Sequence, residues 1–315
     1  MKPLKLTPAF KDYIWGGEKL RTVFGKKTDL SPVAESWELS CHKDGHSVIC
    51  GGEYDGKTLD EYIKENPGVL GTSVDGNELP ILIKLIDADD NLSVQVHPNN
   101  EQAREWEGQN GKTEMWYVVD AEPDARITFG VSQDTTKEEL TSAIKEKRVE
   151  SLLNSVPSQK GDVFFVEAGT IHAIGKGNLI AEIQQNSNVT YRLYDYGRVG
   201  KDGKERELHI DKGVAVSNCN KIQAKEPIEC ADGTRLLAEC EYFVVKEVKF
   251  NGERTFTADE KSYHSIIVTD GNLEIVADGL SVPMIAGETA FIPAGLGDYV
   301  LKGNATLLLT SNPTL

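Results

Sequence analysis

Two segments far apart in the chain share one glycine spacing, and this repeat constrains the fold more than any other feature. Gly161-Asp-Val-Phe-Phe-Val-Glu-Ala-Gly169-Thr-Ile-His172 passes through an apolar run into a second glycine and ends on His172; Gly287-Glu-Thr-Ala-Phe-Ile-Pro293-Ala-Gly295-Leu-Gly-Asp298 repeats the spacing and ends on Asp298. Each reads as a strand that leaves through a tight turn, where glycine supplies positive φ. Two similar β units are therefore predicted. Further short β-rich runs at 82–86, 92–97, 115–119, 163–166 and 266–268 lie between Gly, Asp and Asn clusters, the pattern of sandwiches and barrels. Helices are fewer. Thr58 and Glu61 form a capping box, Asn100 caps a short helix over Glu101 to Trp106, and the spacing of Leu140, Ile144, Val149 and Leu153 predicts a helix from about Thr136 to Asn154.

At 315 residues the chain has room for two cores, given roughly 100–200 residues per domain. Hydrophobic residues are 39% and charged residues 27% of the total, an ordinary globular composition. The first residues lack the apolar core of a signal peptide, and no run approaches the roughly 18–20 apolar residues of a spanning helix, so a cytoplasmic protein without a membrane partner is expected. The five cysteines include no Cys-x-x-Cys pair and are expected as free thiols; Cys41, His42, His46 and Cys50 match no zinc spacing. A net charge of −16 opposes nucleic acid. The same field opposes a small phosphorylated substrate unless cations gather at its site.

Strand parity organises the polar residues. Ser93, Gln95 and His97 point to one face of their strand, while Leu92, Val94 and Val96 point to the other; Lys112, Glu114 and Trp116 repeat the pattern. Taken singly, each segment reads better as a strand with one solvated face. His172 differs, because it closes the glycine turn at a strand mouth. Two imidazoles, a carboxylate and a carboxamide suit a hard or borderline divalent ion and leave one position exchangeable. Downstream, Glu182 and Gln184 share a face, as do Thr190, Arg192 and Tyr194, so a carboxylate and a guanidinium can enter one cavity. The alternative is a surface ion pair worth at most about 1 kcal/mol.

The glycine repeat resembles the second motif of cupin barrels, with Glu167 where the first copy should carry Pro and Asp298 where the second should carry His. A metal is accordingly expected in the first barrel only. Tyr13-Ile-Trp-Gly-Gly17, Ala34-Glu-Ser-Trp-Glu38, Pro80-Ile-Leu-Ile-Lys84, Leu92-Ser-Val-Gln-Val-His-Pro98, Lys112-Thr-Glu114, Gly169-Thr-Ile-His-Ala173 and Thr190-Tyr-Arg192 follow in order. Together they resemble the short bacterial form of type I phosphomannose isomerase.

That resemblance implies two cupin-like jelly-roll barrels: residues 1–127 and 155–218 hold the metal, 128–154 form a small helical insertion, and 219–315 form a second barrel without metal. It implies Zn²⁺, one per chain, on Gln95, His97, Glu114 and His172, other divalent ions being able to substitute. Ser93, Lys112 and Arg198 are the implied phosphate contacts, and Arg192 the catalytic arginine. The implied reaction interconverts mannose 6-phosphate and fructose 6-phosphate through an enediol. Glu182 is expected to carry the proton, with Lys112 or metal-held water as alternatives. A sugar-phosphate sensor without turnover, or a cupin oxygenase on another substrate, are the competing readings. The first would tolerate loss of Arg192 or a ligand, and the second favours His-x-His over Gln95-Val-His97.

Overall fold

Alternation of side chains dictates how the first half of the chain is layered. A computed structural model describes residues 1–200 and 203–314. In it, a six-stranded sheet runs Val163–Val166, Glu114–Ala121, Asn178–Gln185, Ile81–Asp87, Glu35–Leu39 and Ala9–Lys11. A five-stranded sheet runs Leu153–Pro157, Arg126–Val131, His172–Ile174, Val94–Val96 and Tyr191–Tyr194. Between the two, Ile86, Trp116, Val118 and Ile180 meet Ile127, Phe129 and Ile174 in one buried cluster. This is the interior of the first barrel.

The other face of the six-stranded sheet is equally apolar. Ile83, Leu85, Met115, Tyr117 and Ile183 pack there against Phe243, Val245, Tyr263, Ile267 and Leu308 of the C-terminal unit. A sheet covered on both sides needs strands without a polar stripe, and Ile81–Asp87 is buried at every position. Lys84 and Glu182 are thus charged residues inside a core, which makes their pairing obligatory.

The C-terminal unit is a nine-stranded sheet whose long strands Val244–Ala258 and Gly297–Ser311 pair along their whole length. Its interior holds Val248, Ile266, Val268, Leu301 and Leu307. Leu4–Thr7 pairs with Thr289–Ile292 and so belongs to this sheet, although it opens the chain. Asp298 is exposed and accepts a hydrogen bond from Thr257 at 2.5 Å.

Several expectations need correction. The helix expected to reach Asn154 spans only Lys137–Lys145, followed by a 3-10 turn at Val149–Leu152 and the strand Leu153–Pro157. Lys147, at φ 57°, breaks it. The apolar spacing misled because Val149 and Leu153 enter the same cluster as Leu140 and Ile144 without being helical. Arg126–Val131 pairs with His172–Ile174, so the start of the expected insertion is a strand of the first barrel and the boundary at 127/128 falls inside that strand. The strand expected over 92–97 is confined to Val94–Val96, and the short helix is capped by Asn99 rather than Asn100. Among the described residues no helix is long and apolar enough to cross a membrane.

Candidate active site

The inward face of the six-stranded sheet carries a row of polar side chains fixed by register. Glu182 stands opposite Trp116 on one side and Lys84 on the other, Lys84 opposite Trp37, and Gln184 opposite Glu114. On the facing sheet, Gln95 stands opposite both His172 and Arg192. A cavity of about 280 Å³ opens between them, lined among others by Ser93, Gln95, Lys84, Lys112, Glu182 and Arg192.

At its edge His97, Glu114 and His172 converge, all buried. Gly169 makes this possible: its φ is +90°, a Cβ there would lie 2.9 Å from the Val216 carbonyl, and its N–H donates to the His97 carbonyl at 2.8 Å. The turn that delivers His172 is thereby tied to the strand end carrying His97. Each ring is oriented by a carbonyl, because His97 Nδ1 donates to Val189 O and His172 Nδ1 to Thr170 O, both at 2.8 Å. A carbonyl only accepts, so the proton sits on Nδ1 and each Nε2 presents a lone pair.

Those lone pairs face each other. His97 Nε2 is 3.1 Å from His172 Nε2, His172 Nε2 is 3.4 Å from Glu114 Oε1, and His97 Nε2 is 3.6 Å from Glu114 Oε2. Glu114 Oε1 is buried without a hydrogen-bond partner. Burial holds both rings neutral, with the Lys112 charge adding to the effect; His172 is pushed down to about 3 and His97 well below its usual value. Burial first, then the neighbouring Glu182 charge, push the Glu114 carboxyl up to about 7 against the pull of Lys112. Two imidazole lone pairs and a carboxylate converge here beside the Lys112 ammonium, a donor set that suits a divalent cation. Ligand atoms on a tetrahedral zinc, roughly 2.0–2.1 Å from the ion, stand about 3.3–3.4 Å apart, which the observed triangle approximates. The residues fit a divalent metal.

Three comparisons place this geometry among known proteins. The family model described as "Phosphomannose isomerase type I, catalytic domain" matches residues 4–127, and "Mannose-6-phosphate isomerase, cupin domain" matches residues 233–312. Mannose-6-phosphate isomerase ManA of Bacillus subtilis (strain 168) is 40% identical over 98% of both chains. The chain belongs to the type I phosphomannose isomerase family. The crystal structure of mannose 6-phosphate isomerase from Bacillus subtilis superimposes with a TM-score of 0.92 at 36% identity, covering 98% of this chain and 99% of that one. A zinc-bound mannose 6-phosphate isomerase has the same fold at 17% identity, with a TM-score of 0.83 and full coverage of both chains. The expected mainly β, two-barrel cupin architecture is therefore that of the family.

Within this isomerase fold the expected site residues do not all meet. Ser93, Gln95, Lys112, Glu182 and Arg192 line the cavity, and His97, Glu114 and His172 form the adjoining acceptor triangle. Lys112 Nζ lies 2.5 Å from Glu114 Oε2, 3.3 Å from His97 Nε2 and 3.7 Å from Glu182 Oε1. Glu182 accepts a hydrogen bond at Oε2 from Trp116 Nε1 at 2.9 Å, while Oε1 is ion-paired with Lys84 Nζ at 3.1 Å without accepting a hydrogen bond in good geometry among the described residues. Burial alone would raise its pKa, yet Lys112 and Lys84 overcome that and hold it down at about 2. Arg192 donates to the Glu207 carbonyl at 2.8 Å, and its Nε is buried without a partner among the described residues.

Arg198 stands elsewhere. It is not among the cavity's lining residues; it pairs with Asp195 at 2.5 Å, approaches Asp90 at 3.4 Å and donates to the Asn91 carbonyl. Arg206, which no motif singled out, lines the cavity instead, together with Lys84, Glu35, Tyr13 and Trp15. Lys84 had a readable signal, since parity puts Leu82, Lys84 and Ile86 on one face and a lysine amid apolar neighbours marks an inward charge. Arg206 had none, because it reaches the cavity from a loop.

Proposed function

We propose that this chain interconverts mannose 6-phosphate and fructose 6-phosphate at the cavity beside His97, Glu114 and His172. The observation that carries the reading is the buried triangle of two imidazoles and a carboxylate at the edge of a cationic cavity in a member of this family. Gln95, opposite His172 in register, is the proposed fourth donor, and zinc, one per chain, the proposed ion. When bound, such an ion supplies Lewis acidity where charge develops on the sugar oxygens.

The protein groups divide the remaining work. Isomerisation moves a proton between C1 and C2 through an enediol, and the role given to Arg192, whose Nε is free of partners among the described residues, is to support the enediolate. Ser93 and Lys112 line the same cavity and serve as contacts for the charged substrate. Glu182, the expected proton carrier, has both oxygens paired and its charge stabilised, which makes it a weak base. Its surroundings support a role in holding Lys84 and Lys112; Lys112 bridges Glu114 and Glu182 as an ammonium, which only donates, so it would accept the proton as the neutral amine, once a metal rather than Lys112 pairs with Glu114, and on that condition it is the first candidate for moving the proton.

A coupled assay of mannose 6-phosphate conversion, with and without chelator, tests the reading. Turnover that chelation abolishes and divalent metal restores is expected; no turnover in metal-loaded protein would overturn it. Lys112→Met should depress kcat more than Glu182→Gln. The reverse order returns the proton to Glu182.

A further inference from the structure

Three guanidiniums gather at the outer side of the cavity around one buried carboxylate. Asp195, 4% exposed, accepts from Arg206 Nε at 2.7 Å and Nη2 at 2.5 Å, a two-fork pairing, and from Arg198 Nη2 at 2.5 Å. Arg206 and Arg192 line the same cavity, Arg198 does not. After burial, the Arg206 charge is the strongest influence disfavouring the charge on Arg192. Asp195 supplies one negative charge against the two guanidiniums it holds, so positive charge is left over on the wall that Arg206 shares with Arg192, where a ligand anion would neutralise it; among the described residues Arg192 Nε is buried without a partner. In a chain of net charge −16 such a cluster is a local exception.

We infer that Arg206, held in place by Asp195, is the clamp for the substrate's phosphate dianion, the role that motif matching gave to Arg198, and that Arg192 stays with the enediolate. Asp195 is a positioning residue: its fork fixes the plane of the Arg206 guanidinium, and a planar guanidinium recognises phosphate oxygens by orientation as well as charge. Selectivity for phosphorylated over free hexose then resides in a loop arginine rather than in a strand.

This rests on the isomerase reading for its substrate, yet phosphate binding can be read without turnover. Inorganic phosphate is the probe, titrated calorimetrically into metal-loaded wild type and the variants Arg206→Gln, Asp195→Asn and Arg198→Gln, alongside KM for mannose 6-phosphate. Arg206→Gln should weaken phosphate about 10- to 100-fold, as expected for a lost charge-assisted hydrogen bond, and the loss should fall on KM rather than kcat. Asp195→Asn should give a smaller shift in the same parameter and add little in the double variant with Arg206→Gln. Arg198→Gln removes the same charge from the same cluster without touching the cavity, so its effect should be several-fold smaller. Equal losses from Arg198→Gln and Arg206→Gln would mean a general field effect, and an unchanged phosphate affinity in Arg206→Gln would refute the clamp. Phosphate binding that obeys this order in a wild type without turnover would leave the clamp standing and sink only the isomerase reading. Circular dichroism of each variant separates these outcomes from misfolding, and Arg206→Lys, which keeps the charge but loses the fork, should fall between wild type and Arg206→Gln.

Discussion

Lys84 and Glu182 face each other on adjacent antiparallel strands, Nζ to Oε1 at 3.1 Å, 4% and 3% exposed in a barrel interior. Burial by itself would lower the lysine's pKa, but Glu182, then Glu35, reverse that and raise it. Removing one partner strands the other's charge. Lys84→Met should cost about 3–5 kcal/mol in urea unfolding, and the double variant with Glu182→Gln should recover part of it. A loss under about 1 kcal/mol would mean that Lys112 and Trp116 suffice to hold Glu182.

Metal should be a structural partner as well as a catalytic one. An ion bound only by the folded state stabilises by mass action, about 2.7 kcal/mol at a hundredfold excess over Kd, so chelation should lower Tm and re-addition restore it. Glu114→Gln and His172→Ala should lose bound metal by elemental analysis and become insensitive to chelator. Gly169→Ala should also lose metal, since its φ of +90° and the Val216 carbonyl at 2.9 Å oppose a side chain. Metal content equal to wild type in Glu114→Gln would rule that carboxylate out as a ligand.

The two units are joined by a buried polar contact, in which Tyr117 donates to Glu247 Oε1 at 2.6 Å. Glu247 is 5% exposed, with Arg235 as a second partner at 3.5 Å. Tyr117→Phe removes the donor but keeps the ring. Unfolding by urea should show a loss of about 1.5–3 kcal/mol, the range for a hydrogen bond to a charged group. No loss would mean that Arg235 alone satisfies the carboxylate.

Acid should weaken the C-terminal barrel through His264. Burial pushes this imidazole from 6.5 down to about 4 against the pull of Asp259, and its Nδ1 lies 2.8 Å from the Tyr299 hydroxyl. A depressed folded-state value favours the neutral ring, so the contribution is fully present above pH 6.5 and disappears as pH falls through 6.5 towards 4, about 3 kcal/mol in all. Across that window His264→Asn should lose less stability than wild type. Parallel pH profiles for the two proteins would show that His264 does not titrate on unfolding.

Much of the site was legible because its logic is local. Alternation separated Gln95 from Val94 and Val96 and set Glu114 and Trp116 on one face, and the glycine turn located His172 at a strand mouth. These are consequences of a period of two and of positive φ, which neighbouring residues decide. Alternation failed at Leu92, expected opposite Ser93, because the strand is confined to Val94–Val96 and Leu92 lines the cavity beside Ser93. Solvated or buried was not local. Lys112, Glu114 and Trp116 read by themselves as a water-facing stripe, and only the second sheet laid over them made them a buried cluster.

Register and loop placement settled the rest. The apolar spacing through Leu153 extended a helix that Lys147 ends, because Val149 of a 3-10 turn and Leu153 of the next strand fill the same core that a helix would. The sequence by itself determined which side chains face inward and which turn carries the second histidine, since those follow from backbone stereochemistry. Tertiary structure alone decided that Glu182 meets Lys84, and that Arg206 rather than Arg198 reaches the cavity. Cross-strand pairing and loop docking are set by burial between segments far apart in the chain, and local pattern carries no record of them.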